Sequence, residues 1–156
     1  MPQDSTTRIT TNCFESFIEP DVADVLFKYY RDNIQWVEAP KSKGRHTRFG
    51  SVCSSRDPIT MSLVEFVVEN VGYSVESVTG VYLNYYKDGD DYTPTHSHPG
   101  TIQIILSLGA ERVLEVAKKL YPQKSGTVTV FGGSKHGVPR SETLESRISV
   151  AIFIQK

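Results

Sequence analysis

From residue 78 onward the hydrophobic pattern repeats every two residues, and nothing else in the chain constrains its fold as strongly. The segments 78-VTGVYLNYYKDG-89, 101-TIQIILSLG-109, 111-ERVLEVAKK-119, 126-GTVTVFGG-133 and 147-RISVAIFIQ-155 each alternate or run apolar. Successive side chains of a strand point to opposite faces, so these segments predict strands with one or both faces covered. Asp88-Gly89, Gly109, Pro122 and Gly132-Gly133 read as the turns between them. An array of short antiparallel strands of this kind suits a jelly roll or a barrel.

The first half of the chain is different. In 17-FIEPDVADVLFKYYRDN-33, Val22, Val25, Leu26 and Tyr29 follow helical spacing, Pro20 suits a first turn, and Asp21 and Asp24 favour the N-terminal end. A helix is predicted from about 20 to 32, then a short strand at 34-IQWVE-38. A second helix is predicted over 60-TMSLVEFVVENVG-72, with Leu63, Phe66, Val67 and Val71 on its inner face, Thr60 or Ser62 as its cap and Gly72 at its end. Residues 1–9 read as a loose polar tail and 10–156 as one domain, a length sufficient for a real core. The expected class is α+β, with a jelly-roll or barrel core and N-terminal helices packed outside.

Lysine and arginine number 17 against 18 acidic residues, a net charge of −1, so no global positive field draws the chain to nucleic acid or to an anionic membrane. Any such attraction is local, and one segment offers it. The stretch 41-KSKGRHTRFGSVCSSR-56 gathers Lys41, Lys43, Arg45, Arg48 and Arg56 around Phe49. It is either a solvated loop or a lid that contacts phosphates and stacks an aromatic on a base. No run is long and apolar enough to span a bilayer, and the first residues do not resemble a signal peptide. Cys13 and Cys53 follow no disulfide pattern. A reduced, intracellular, cytoplasmic monomer is expected.

The chemistry centres on 94-PTHSHPG-100. On an extended segment, His96 and His98 point to the same side and form one edge of a metal site, or they are two polar loop residues. A third histidine, His136, sits in 132-GGSKHG-137, where glycines permit close backbone approach. Alternation along 78–87 puts Tyr82, Asn84 and Tyr86 on one face, with Val81 and Leu83 on the other. Along 147–155, Ile148, Val150, Ile152 and Ile154 form the apolar face, opposite Arg147, Ser149, Ala151 and Phe153. Arg147 follows His136 by 11 residues and is either a surface charge or a bidentate clamp for a carboxylate.

The order of these residues resembles the Fe(II)/2-oxoglutarate-dependent dioxygenases, and in particular their AlkB-like branch. The stretch 84-NYYKDGDDYTPTHSH-98 is similar to that branch's Asn-x-Tyr pair, turn and His-x-Asp motif. The stretches 104-IILSLGAERVLEV-116, 126-GTVTVFGGSKHGVP-139 and 147-RISVAIF-153 fall where the family has its Gly-Ala-x-Arg segment, its distal histidine and its Arg-x-Asn-x-Thr-Phe strand. The stretch 45-RHTRFGS-51 is similar to its lid. The resemblance implies a double-stranded β-helix (jelly-roll) core with N-terminal helices packed outside, and His96, His98 and His136 as the iron ligands. It implies Asn84, Tyr86, Arg147 and Ser149 as contacts of the cosubstrate 2-oxoglutarate, and Lys43, Arg45, Arg48 and Phe49 as the nucleic-acid contacts. The implied activity is oxidative removal of alkyl groups from nucleic-acid bases, or their hydroxylation, and a base must be single-stranded or flipped to reach such a pocket.

Three positions depart from the family pattern. His98 stands where the family has an iron-binding Asp, although Asp90 or Asp91 lies close enough in sequence to substitute. Ser149 stands for Asn, and Phe153 stands where a second Arg is expected, with Lys156 the nearest cation. Two other classes therefore stay open. One is a catalytically inactive AlkB-like protein that binds nucleic acid or metal. The other is a cupin-like three-His metalloprotein, for which His-x-His and 133-GSKH-136 also fit, with Gln103 near the place of the usual cupin Glu.

Overall fold

The strands expected beyond residue 78 are present in two sheets that pack face to face. The computed structural model describes residues 9–38, 48–50 and 57–155; Lys43 and Arg45 lie outside that range. The described elements are β1 (Asn12–Phe14), α1 (Pro20–Asn33), β2 (Trp36–Glu38), β3 (Arg48–Gly50), α2 (Pro58–Asn70), β4 (Val78–Tyr86), β5 (Thr93–His96), β6 (Thr101–Gly109), β7 (Arg112–Val116), β8 (Lys119–Gln123), β9 (Val128–Phe131), β10 (His136–Val138) and β11 (Arg147–Gln155). The larger sheet runs β1-β9-β6-β11-β4-β3-β2 and the smaller β5-β10-β7-β8. Two helices outside a mostly antiparallel double sheet make this an α+β jelly roll. No helix of the described residues is long and apolar enough to cross a membrane.

Side-chain alternation on the central strands builds two separate cores. On one face of the larger sheet, Leu83, Ile104, Leu106, Leu108, Ile148, Val150 and Ile152 are buried beneath α1 and α2. On the other face, Tyr86, Ile105, Phe131 and Ala151 meet Leu114, Val116 and Val138 of the smaller sheet. Strand β6 is covered on both faces, which is why its sequence reads as a nearly continuous apolar run. The functional cavity opens in this second, inter-sheet layer.

Several expectations shift. Helix α1 buries Ala23 and Tyr30, with Leu26 and Phe27 packed against the core, while Val22 and Val25 are exposed. Both faces satisfy helical spacing; the close approach of the helix selects the one bearing the small Ala23. A β-carbon at Gly126 would lie 3.9 Å from Ala23 Cβ and only 2.2 Å from the Ile18 carbonyl oxygen. Helix α2 starts earlier than expected because Pro58 follows Asp57, whose carboxylate accepts from Ile59 N–H and, at 2.9 Å, from the Thr60 hydroxyl. Its inner face is Thr60, Leu63, Val64, Val67 and Val68; Phe66 is exposed and meets the edge of Phe17. The stretch 111–119 is a hairpin, not one strand, since Ala117 and Lys118 take positive φ and turn the chain. Pro122 then lies within β8, opposite Val113, and is not a turn. Ile9, expected in the loose tail, packs against the main core.

Candidate metal centre

The three histidines meet through strand pairing between β5 and β10. His96 closes β5, His136 opens β10, and the two are directly opposed in the antiparallel register. His98 follows in the loop, where the Thr101 hydroxyl holds its carbonyl oxygen at 2.7 Å. Strand β10 can lie this close because residue 137 is glycine; a β-carbon there would come within 2.8 Å of the Thr93 carbonyl oxygen. One ligand atom from each ring falls within 4.8 Å of the others, and this is the group among the described residues able to hold a metal ion.

The backbone sets the ring tautomers. His96 Nδ1 lies 2.8 Å from the Pro94 carbonyl oxygen and His136 Nδ1 lies 3.0 Å from that of Ser134. A carbonyl oxygen only accepts, so each Nδ1 carries the proton and each neutral ring turns an Nε2 lone pair inward, as a metal ligand must. Gln103, buried on β6, places its amide nitrogen 3.4 Å from His136 Nε2. The proposed substitute carboxylates are not in the cluster. Asp91 accepts from Lys87 N–H at 2.7 Å within the turn after β4, and Asp90 is exposed on that turn.

Arg147 opens β11 on the same face of the sheet. It is 1% exposed, its Nε donates to Ser107 Oγ at 2.8 Å, and its Nη1 and Nη2 have no hydrogen-bond partner. Burial pushes its pKa down, while the neighbouring Tyr86 pushes it up. A buried guanidinium with two unspent donors is costly unless something accepts from it. Asn84 and Ser149 face each other in register, and Tyr86 is opposite Arg147. The Tyr86 ring is flanked by Arg147 at 5.1 Å and Arg112 at 5.3 Å, and its hydroxyl meets Thr93 Oγ1 at 2.8 Å.

All seven residues expected to hold the metal and the cosubstrate line one cavity of about 490 Å³. At its histidine end, the Phe153 ring stands edge-on to His98 at 5.1 Å and to Tyr82 at 5.4 Å. Of the expected nucleic-acid contacts, Lys43 and Arg45 lie outside the described residues. Arg48 and Phe49 fall in β3, a strand where a loop was expected, with Phe49 opposite Asn84 in register. Sequence reasoning missed Ser107 and assigned Gln103 only to the cupin alternative. The same alternation along 101-TIQIILSLG-109 would have put both on the inner face as polar interruptions of an apolar run.

As a sequence the chain matches no protein-family model and no curated protein. As a structure it is similar to SnoN, a non-heme alpha-ketoglutarate-dependent epimerase from nogalamycin biosynthesis, at TM-score 0.74 and 11% identity over 97% of this chain and 79% of that one. It is also similar to HygX from Streptomyces hygroscopicus, solved with nickel and 2-oxoglutarate bound, at 0.71 and 10% over 97% and 84%. A predicted oxalate decarboxylase from Thermotoga maritima matches at 0.56 and 15% over 80% and 95%. At these identities the likeness is one of fold.

Proposed function

We propose that this chain is an Fe(II)/2-oxoglutarate-dependent oxygenase with a three-histidine metal site. The observation that carries it is Arg147, a wall residue of the cavity that also holds His96, His98 and His136, with two buried nitrogens that have no hydrogen-bond partner. The inward lone pairs of His96 and His136 fit a divalent ion, and the fork of Arg147 fits a carboxylate bidentately. Iron(II) with 2-oxoglutarate supplies the activation of dioxygen. The chain's residues bind and orient. Arg147 holds the far carboxylate of the keto acid, Asn84 and Ser149 offer hydrogen bonds along its length, and Tyr86 braces the guanidinium. Ile105, Leu114, Val138 and Ala151 wall the cavity with apolar surface that excludes water.

The finer reading is an AlkB-like enzyme acting on an alkylated nucleic-acid base. Its support is the motif order from Asn84 to Phe153, the basic segment 41–56, and the aromatic pair Tyr82 and Phe153 beside His98, a surface on which a base can stack. A second reading is a cupin-like metalloprotein in which Gln103 completes the set, favoured by its amide beside His136 Nε2.

Anaerobic addition of Fe(II) and 2-oxoglutarate tests the oxygenase: a visible charge-transfer band and, on admitting oxygen, succinate are expected. Metal that binds without band or succinate, across alkylated DNA and RNA oligonucleotides, favours the cupin-like or the inactive alternative. Turnover with 2-oxoglutarate that no oligonucleotide stimulates removes only the base as substrate.

A further inference from the structure

We propose that the metal ion and a small dicarboxylate bind this cavity as a strongly coupled pair, the anion supplying the negative charge that the described lining of the cavity withholds. The inference rests on the metal site and the Arg147 anchor proposed above, and it concerns their energetics rather than the reaction.

Among the described residues lining the cavity there is no carboxylate. The histidine cluster offers imidazoles alone. Among the described lining residues the one permanently charged side chain is Arg147, a cation, and Arg112, a second buried cation, lies 5.3 Å from the centre of the Tyr86 ring. Neither arginine has a carboxylate partner among the described residues, where the ion pair formed is Arg31 with Asp32 on the surface. A divalent ion entering alone therefore meets imidazole ligands and a like charge across the cavity. A dicarboxylate entering alone finds one guanidinium. Together, the dianion cancels the ion's charge, chelates it at one end and spends the idle Nη1 and Nη2 donors at the other. The two charges solve each other's desolvation, which neither does alone. A site with a carboxylate ligand in place of His98 holds its metal without this help.

Linkage makes the effect reciprocal: whatever factor the anion adds to metal affinity, the metal adds to anion affinity. The test uses the full chain and Mn(II), followed by the spectrum of the free ion, with no anion, with 2-oxoglutarate, or with oxalate, each corrected for chelation in solution. We expect 2-oxoglutarate to tighten Mn(II) about 100-fold, at the upper end of ordinary coupling. His98→Asp should bind Mn(II) tighter without anion and show coupling smaller by about tenfold. Arg147→Gln should lose most of the coupling while binding Mn(II) alone no more weakly than the native chain, since it removes a like charge. His98 is only partly buried and outside the strands, so His98→Asp decides the matter even if Arg147→Gln does not fold.

Mn(II) affinity that changes less than about threefold with every anion overturns the proposal, as does equal coupling in His98→Asp and the native chain. Absence of Mn(II) binding under every condition overturns it together with the metal site. Coupling to oxalate but not to 2-oxoglutarate supports the coupled pair while sinking 2-oxoglutarate as its partner.

Discussion

Arg112 and Arg147 are both large, fully buried and packed over one tyrosine ring, that of Tyr86, yet they do opposite things. Arg112 Nη1 donates to the Asp88 carbonyl at 3.1 Å, and its Nη2 donates to those of Asp91 and Pro139 at 2.7 and 2.8 Å. It ties the turn after β4 to the strand end after β10, the two segments that bring His96 and His136 to their stations. Arg147 spends only its Nε, on Ser107, and leaves both terminal nitrogens without a hydrogen-bond partner in the cavity wall. Burial lowers the pKa of each. Burial and charge therefore do not separate a structural arginine from a ligand-binding one. What separates them is whether the donors are already used.

The sharpest way to break this contrast is to truncate each arginine. Arg147→Met should weaken 2-oxoglutarate binding by about 2–5 kcal/mol, measured by calorimetry with metal present. The free protein should unfold at the same urea concentration or a higher one, because an unpaired buried charge has gone. A large loss of stability instead would make Arg147 structural.

Arg112→Met comes next, at about 3 kcal/mol lost in chemical denaturation, since three carbonyl oxygens lose their shared donor. If this variant is as stable as the native chain but loses 2-oxoglutarate, the roles of the two arginines are exchanged.

Ser107→Ala is finer. It frees Arg147 Nε, which should cost about 1 kcal/mol of stability by leaving a buried donor unpaired and about as much in 2-oxoglutarate binding by misaiming the fork. Unaltered binding would mean that Tyr86 alone orients the guanidinium.

The smallest effect lies far from both arginines and sets the floor. Burial works against the charged form of Asp57, but hydrogen bonds from Tyr29, Thr60 and the α2 backbone hold its pKa below the usual Asp value. A folded pKa below the unfolded one stabilises at pH above about 4 and loses that contribution as pH falls through the folded value. Asp57→Asn should cost about 0.5 kcal/mol or less near neutrality and flatten the acid limb of the stability curve. An unchanged acid limb would remove Asp57 as its source.

Much of the site was legible because strand alternation is strict. Once β4 and β11 are strands, Asn84 and Tyr86 share a face, and so do Arg147 and Ser149; the apolar residues between them leave that face no choice. The helical faces were less legible because a 3.6-residue period tolerates neighbouring stripes. The set Val22, Val25, Leu26 and Tyr29 and the set Ala23, Leu26, Phe27 and Tyr30 are equally regular, and only contact with the sheet distinguishes them. Arg112 was readable as a motif residue but not as a clamp, since its acceptors are backbone carbonyls brought from remote turns.

By itself, the sequence determined the long strands β4, β6 and β11, the α+β class and the sidedness of those strands, all consequences of local periodicity. It also supplied the three histidines and the arginine as chemical types in a recognisable order. Only the tertiary structure decided that His96 and His136 pair across β5 and β10, that Asp90 and Asp91 stay out of the histidine cluster, and that Arg147 rather than Arg112 has donors to give. Those outcomes depend on which backbone groups arrive from distant parts of the chain, and a one-dimensional pattern carries no record of that.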